Sequence, residues 1–331
     1  MARDSLLLPM AAKRLVTGIR PTGDIHLGNY FAAIKPTIDL QNEYDCYIFV
    51  ADLHALNQVG DSAGLNRSII EITKAYLAAG LSPERVHLFQ QSALPHPELA
   101  WMIGAQVGIG VLERAHAFKD SVANGSDVNF GLFSYPILMA ADILMYQADV
   151  VPVGKDQQQH VEFARDWAER FNNLYGQTFT LPKAIHPEGI ETVPGLDGRK
   201  MSKRYANVIG LFDGAEVLEK KIMKITTDSK LPEEPKDGSD TIAQIFSLVA
   251  TPEASADFLQ RYTAGGMGYR QAKEELLAAV STFLKPIQER KAALDQDEQQ
   301  VREVLHRGAE AARLVATETI TKAREHLGLV V

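Results

Sequence analysis

Cysteine is almost missing from this chain. A single Cys46 among 331 residues cannot close an intrachain disulfide, which excludes a disulfide-stapled secreted scaffold and points to a reducing cytoplasm. It sits in the apolar run Cys46-Tyr47-Ile48-Phe49-Val50, where a buried structural thiol is expected. Long apolar runs are missing too. Asp, Gly or Pro interrupts each stretch before the ~20 residues that a membrane helix needs, so no membrane association is expected. The start, MARDSLLLPMAAKRLV, carries basic residues but too short an apolar centre for a signal peptide. Internal repeats and low-complexity segments are absent, and so is an excess of positive charge: Lys and Arg number 34 against 42 Asp and Glu, for a net −8. That balance argues against a nonspecific nucleic-acid coat, while leaving room for a locally basic face.

What remains is an ordinary globular composition, 46% hydrophobic and 23% charged, with length for one large domain and a smaller second one. Short β-type runs at Arg14-Leu15-Val16-Thr17, Cys46 to Val50, Val86-His87-Leu88-Phe89 and Ala148 to Val153 alternate with helix-period segments near 28–42, 63–80, 97–110 and 156–173. This alternation predicts βαβ units and a parallel sheet, an α/β fold. Each β-run ends in a polar or glycine cluster: Thr17-Gly18, Asp52-Leu53-His54, Gln90-Gln91-Ser92 and Gly154-Lys155-Asp156. Open parallel sheets bind ligands beyond the carboxyl ends of their strands, so the four clusters should face one crevice. Residues 188–212 are rich in Gly, Pro and charge and read as a mobile loop. From about residue 211 helix formers dominate, with an apolar stripe through Phe283, Leu284 and Ile287 that Pro286 should kink.

Three segments carry the chemistry. The first βα junction, Gly18-Ile19-Arg20-Pro21-Thr22-Gly23-Asp24-Ile25-His26-Leu27-Gly28-Asn29, sets His26 and Asn29 three apart at a helix start, where free N–H groups favour phosphate. Gly28 would let a flat purine approach the backbone. Alone, the segment reads equally as a tight turn capped by Asp24. The second, Gly198-Arg199-Lys200-Met201-Ser202-Lys203-Arg204, places four cations in six residues of a loop, a clamp for a polyanion or a solvated charge run. The third, Ser134-Tyr135-Pro136-Ile137-Leu138-Met139-Ala140-Ala141-Asp142-Ile143-Leu144-Met145-Tyr146, buries a carboxylate in an apolar helix. Asp142 should then meet a donor, unless it points to solvent or answers a distant Arg.

His-Leu-Gly-Asn after the first strand and Lys-Met-Ser-Lys later in the chain resemble, in order and spacing, the paired signatures of class I aminoacyl-tRNA synthetases. Asn29 replaces a second histidine and Arg204 a final serine. The helix around Asp142, the stretch Val150 to Gln157 and the following His160, Arg165-Asp166 and Arg170-Phe171-Asn172 resemble the tryptophanyl-tRNA synthetases, from residue 14 into the 320s. The resemblance implies a Rossmann-like parallel-sheet catalytic domain (1–192), a mobile KMSKR loop (193–212) and a helical domain for the tRNA anticodon (213–331), whose last helix could pack back on the first. It implies ATP and Mg²⁺ as cofactors, the metal riding on the phosphates because no His, Cys, Asp or Glu cluster has cage spacing. L-tryptophan, tRNA(Trp) and a second copy of the chain are the implied partners, in the cytoplasm.

Position by position, the resemblance makes Asp142 the acceptor of the indole N–H and packs Met139 on the ring. Tyr135 and Gln157 hold the amino-acid end, while His54, Val151 and Val153 line the pocket. Arg20, Pro21, Thr22, His26, Gly28, Asn29, Gly154, Lys155, Asp156 and Lys200, Met201, Ser202, Lys203 and Arg204 meet ATP, with Val193 near the adenine. Lys119 is a third phosphate-binding lysine. Arg20 stands where relatives often carry Gln. The implied reaction is attack of the tryptophan carboxylate on the α-phosphate of ATP, helped by His26, Asn29, Lys119, Lys200 and Lys203. A tyrosine–tRNA ligase is disfavoured by Met139 where that relative has Gln, a small adenylyltransferase by the second signature, and a non-charging paralogue by His26, both loop lysines and Asp142. A pocket whose only donor is the substrate would reject analogues lacking the N–H by about 10⁴–10⁵. Arg302, Arg307, Arg313, Lys322 and Arg324 punctuate the tail and are expected to face tRNA.

Overall fold

A computed structural model describes residues 12–21, 23, 25–57, 62–123, 129–154, 157–187 and 192–329. The expectations for the first eleven residues and for Thr22, Asp24, Lys155 and Asp156 lie outside the described residues. Five parallel strands, β1 (Arg14–Ile19), β2 (Asp45–Val50), β3 (Val86–Gln90), β4 (Val150–Pro152) and β5 (Lys183–Ile185), form one sheet in the order β3-β2-β1-β4-β5. Alternate residues feed opposite faces: Cys46, Ile48 and Val50 enter one core, Tyr47 and Phe49 the other. Helices cover both faces, which is why the strands are continuous apolar runs rather than alternating ones. The edge strand β5 has no such signal in the sequence, since it is three residues long and begins with an exposed lysine. The expected run from Ala148 to Val153 shortens to Val150–Pro152.

The helix after β1 runs from Leu27 to Leu40 with a wide turn at Tyr30–Ile34, next to Pro36, which brings no N–H to the ladder. The segment expected at 97–110 divides into His96–Gly104 and Ile109–Leu112. The Cys46 thiol is buried and pushed up to about 12 by burial and then by the Asp45 charge, so it is an inert core group.

Beyond the sheet come helices Ala215–Met223, Thr241–Val249, Pro252–Ala264, Tyr269–Gln296 and Glu298–Leu327. They do not keep a separate core. Leu276, Val280, Leu284 and Ile287 share one apolar cluster with Ile69, Ile72 and Tyr76 of the Ser62–Ala79 helix. Around that contact Lys74 meets Asp295 at 2.8 Å and Lys291 meets Glu71 at 2.9 Å. The last helix crosses to the other core through Ala309, Ala312, Ala316, Ile320 and Ala323. Its small residues let it lie against the backbone of β3. Three of the cations expected to face tRNA, though exposed, make bonds within the protein. Arg302 bonds Glu298 and Asn66, Arg313 donates to the Ala93 carbonyl, and Arg324 holds Glu98 with two nitrogens. These arginines tie the helix to the Ser62–Ala79 helix, the turn after β3 and the His96–Gly104 helix.

Gly308 marks the closest approach, because a Cβ there would lie 1.9 Å from the Leu88 carbonyl oxygen. Exchanging a helical glycine for alanine ordinarily gains about 1 kcal/mol. Here Gly308→Ala must push the helix off the strand, an overpacking that costs about 1–3 kcal/mol or more. The expected outcome in urea unfolding is a net loss of stability; a stabilised variant would show that the helix does not rest on Leu88.

Candidate active site

In the strand order β3-β2-β1-β4-β5 the chain reverses direction between β1 and β4. That is where a parallel sheet opens a crevice at its carboxyl edge. A cavity of about 420 Å³ opens there, walled by Thr17, Gly18 and Arg20 from the end of β1 and by Val151, Val153 and Gly154 from β4 and its loop. The Phe130–Leu144 helix adds Tyr135, Met139 and Asp142, and His54 and Gln157 close the sides. The seven residues expected around tryptophan, namely Asp142, Met139, Tyr135, Gln157, His54, Val151 and Val153, thus share one wall. Three of the four strand-end clusters reach it directly. The fourth reaches it through Gln91.

Asp142 is 1% exposed. It does not wait for a substrate donor, as the sequence suggested; the protein supplies three. Oδ1 accepts from Gln91 Nε2 at 2.7 Å and from His96 Nδ1 at 2.6 Å, and Oδ2 accepts from His54 Nε2 at 2.8 Å. Burial pushes the carboxyl up, but the hydrogen bonds from His54 and His96 prevail and hold it at about 2. Since His96 spends its Nδ1 proton on Asp142, its Nε2 accepts from the Tyr146 hydroxyl at 2.7 Å. Burial, then the Asp142 charge, raises that phenol well above its ordinary value and keeps it a donor. A carboxylate offers about four acceptor positions, so Oδ2 keeps one unused, on a residue that lines the cavity. An analogue without an N–H would leave no charge unpaired. The penalty is therefore the loss of one charge-assisted bond, about 10–100-fold, rather than the 10⁴–10⁵ of a site empty of other donors. His96 gave no signal in the sequence: it lies 46 residues from Asp142 and only the fold joins them; Gln91 was legible only as part of a polar strand end, and Tyr146 only as part of the apolar segment around Asp142.

The other two segments meet each other. His26 caps the helix reciprocally with Asn29: its Nδ1 accepts from the Asn29 N–H and its own N–H donates to Asn29 Oδ1. The ring is buried, and burial, then Lys203 and Lys221, lower it to about 4. It is thus a neutral imidazole near pH 7, with its proton on Nε2. Ile25 and Leu27 pair with Leu211 and Ile209 through backbone bonds of 2.8 and 3.0 Å. Met201, 4% exposed, is the contact between the motifs: its sulfur accepts from the Gly28 N–H at 3.4 Å, and its own N–H donates to Val193. Gly28 is required because a Cβ there would lie 2.9 Å from His26 Nδ1. The His26 ring and Met201 lie on the side to which that Cβ would point.

Around Met201 the chain from Val193 to Leu211 is tied rather than loose. Asn207 donates to Asp197 and to the Lys200 carbonyl and accepts from the Ser202 N–H. Lys200, Lys203 and Arg204 are exposed, with Ser202 partly so. Pro21 is buried beside this region and Arg20 is exposed on the cavity wall. Lys119 is exposed on the His116–Ala123 helix and is not on that wall. Tyr135 bonds His160 at 2.7 Å, and its phenol is raised by burial against the opposing pull of Arg20.

The family model described as tRNA synthetases class I (W and Y) matches residues 10–285. A Fusobacterium nucleatum protein named tryptophan–tRNA ligase is 42% identical, across 96% of this chain and 98% of its own. One from Pseudomonas aeruginosa under the same name is 44% identical, across 96% and 74%. The crystal structure of tryptophanyl-tRNA synthetase from Campylobacter jejuni complexed with ADP and tryptophan superposes with a TM-score of 0.89 at 40% identity, covering 95% of this chain and 99% of that one. With that extent of agreement over a parallel sheet whose two signature segments are bonded to each other, the chain belongs to the class I tRNA synthetases of the tryptophan and tyrosine group.

Proposed function

We infer that the chain is a tryptophan–tRNA ligase, which makes tryptophanyl-adenylate from tryptophan and ATP and passes tryptophan to the terminal ribose of tRNA(Trp). The observation that carries this reading is the open acceptor position on Asp142 at the end of the cavity. An indole N–H can only donate, and Asp142 Oδ2 can only accept while ionised. Met139 on the same wall packs on the ring, and Tyr135 and Gln157 hold the amino-acid end. A tyrosine phenol gains nothing further from Met139.

ATP lies across the carboxyl edge of the sheet, toward Gly154 on one side and the segment from Lys200 to Arg204 on the other. His26 Nε2–H donates to the phosphates as a neutral group. Lys200 and Lys203 flank the anchored Met201 and bring full charges, and Asn29 fixes the His26 ring. Mg²⁺ brought with ATP would neutralise phosphate charge beside Lys200 and Lys203. A carboxylate oxygen of tryptophan forms a bond to the α-phosphorus while the bond to pyrophosphate breaks, and pyrophosphate leaves with the electron pair. No proton moves, because the carboxylate is already ionised near pH 7. Catalysis is alignment plus neutralisation of charge on the leaving group. The ribose hydroxyl of tRNA then attacks the acyl carbon and AMP departs. Helices from residue 213 to Gln296 are the part offered to the anticodon, in a cytoplasmic homodimer.

The decisive assay is tryptophan-dependent exchange of pyrophosphate into ATP, followed by charging of tRNA. Exchange that responds to tyrosine instead would overturn the assignment. Asp142→Asn is expected to lower kcat/KM for tryptophan by about 100-fold, about 2.7 kcal/mol, with KM for ATP little changed. Equal activation of tryptophan by wild type and variant would remove Asp142 from recognition.

Lys200→Ala and Lys203→Ala should each slow adenylate formation by about 100–1,000-fold while the tryptophan dissociation constant stays within a few-fold. Single-turnover rates and equilibrium binding on the same preparations check this. Unchanged rates in both variants would sink the clamp.

A further inference from the structure

Behind Asp142 a relay of hydrogen bonds runs away from the cavity. His96 and Tyr146 are both 0% exposed, and neither is among the residues that wall the cavity. An ionised Asp142 can only accept, so the proton in its 2.6 Å bond with His96 belongs to His96 Nδ1. Two forms of the imidazole meet that demand. One is neutral with Nε2 bare; the other is an imidazolium, protonated at both nitrogens, which would cancel the charge of Asp142. Tyr146 decides between them. Its hydroxyl lies 2.7 Å from His96 Nε2 and has no other partner among the described residues. The phenolic hydrogen therefore has one acceptor within reach, and that acceptor exists only while Nε2 is bare.

The fold holds the phenol in this place. Its ring stacks on Tyr47 at 4.9 Å and tilts against Phe89 at 5.3 Å. The next residue, Gln147, has a left-handed backbone (φ 55°), which is uncommon outside glycine. Its side chain secures the turn by donating to the Thr178 carbonyl and the Thr319 hydroxyl and accepting from the Thr180 N–H. We propose that Tyr146 is a positioning residue for amino-acid specificity: by keeping His96 neutral, with Nδ1 as the donor, it preserves a full negative charge and a fixed carboxylate plane at Asp142 for the substrate N–H. Without the hydroxyl, the phenolic hydrogen no longer fills Nε2. A solvent proton can take its place, drawn by the Asp142 charge, and the imidazolium so made neutralises that charge. The substrate N–H then meets a weaker acceptor.

The specificity part rests on the tryptophan reading, and two measurements separate the relay from that reading. In wild type labelled with nitrogen-15 at histidine, the His96 ring is identified by its loss in His96→Asn. It should show a protonated Nδ1 and a bare Nε2 near pH 7, whichever amino acid the enzyme takes; an imidazolium or the opposite tautomer overturns the proposal. Pyrophosphate exchange then compares kcat/KM for tryptophan with that for benzothienylalanine, in which sulfur replaces the N–H. Absence of tryptophan-dependent exchange in the wild type would defeat the tryptophan reading, and the specificity role with it. Wild type should favour tryptophan by about 10–100-fold, and Tyr146→Phe, which keeps the ring and its stack, should reduce that ratio to about 3-fold or less. A loss of packing alone would lower both substrates alike; an unchanged ratio in Tyr146→Phe overturns the proposal. His96→Asn supplies the rescue, because its amide donates from the place of Nδ1 and has no tautomer to hold. It should keep most of the preference, and adding Tyr146→Phe to it should move the ratio by less than about 2-fold. Equal shifts of the ratio in the two backgrounds overturn the proposal as well.

Discussion

The structure turns on one buried negative charge. An isolated carboxylate in an apolar helix would cost several kcal/mol and would take up a proton instead. Asp142 escapes that fate only because Gln91, His96 and His54 all point hydrogen atoms at it. The three come from separate places: the turn after β3, the start of the His96–Gly104 helix and the Asp52–Ala55 helix after β2. None can reach Asp142 until the sheet has its order and the Phe130–Leu144 helix is seated. The charge therefore reports on the fold as a whole. Tyr146 extends the same logic, holding the tautomer of His96 from the far side and stacking on Tyr47 of β2 at 4.9 Å. Partly satisfied, such a network would be worse than an apolar core; fully satisfied, it fixes one acceptor position in one direction.

The Lys-Met-Ser-Lys pattern has a comparable physical economy. Its middle apolar residue is the anchor, its lysines are the display. Met201 is buried against Gly28 while Lys200 and Lys203 on either side are exposed. A flexible thioether suits this place because it packs without demanding a rigid fit and accepts weakly from the Gly28 N–H. His26, held by Asn29, lies under the same contact, and Lys203 helps keep its ring neutral. Cations and imidazole are thus arranged so that the lysines carry the charge and the histidine directs a hydrogen bond.

How much of this was legible depended on whether the signal was local. The first four strands, the crevice and both signature segments announce themselves within a few residues, through apolar runs, glycine clusters and spacing. Asp142 was legible as a problem, a charge amid Ala140, Ala141, Ile143 and Leu144, but its solution was not. His96 follows a proline in an ordinary helix start, and nothing near it says that it faces a carboxylate 46 residues away. β5 was missed because its three residues begin with an exposed lysine and lack the apolar run that marks β4. The tail arginines read as a nucleic-acid face because charge at helical spacing looks the same whether it meets solvent, phosphate or the protein's own Glu98.

That last ambiguity bears on how the molecule is divided. A boundary near residue 212 suits the sequence, where strand-like runs give way to helices, but the hydrophobic clusters ignore it. Leu284 and Ile287 complete the core under the Ser62–Ala79 helix, and the last helix rests on β3 so closely that Gly308 has no room for a side chain. Arg290 reaches across to the Ala78 carbonyl, and Lys74 to Asp295. Removing everything after the loop would strip an apolar cover from both faces of the sheet, including the face that carries His96 and Tyr146. The sheet and the helical region therefore share their packed cores.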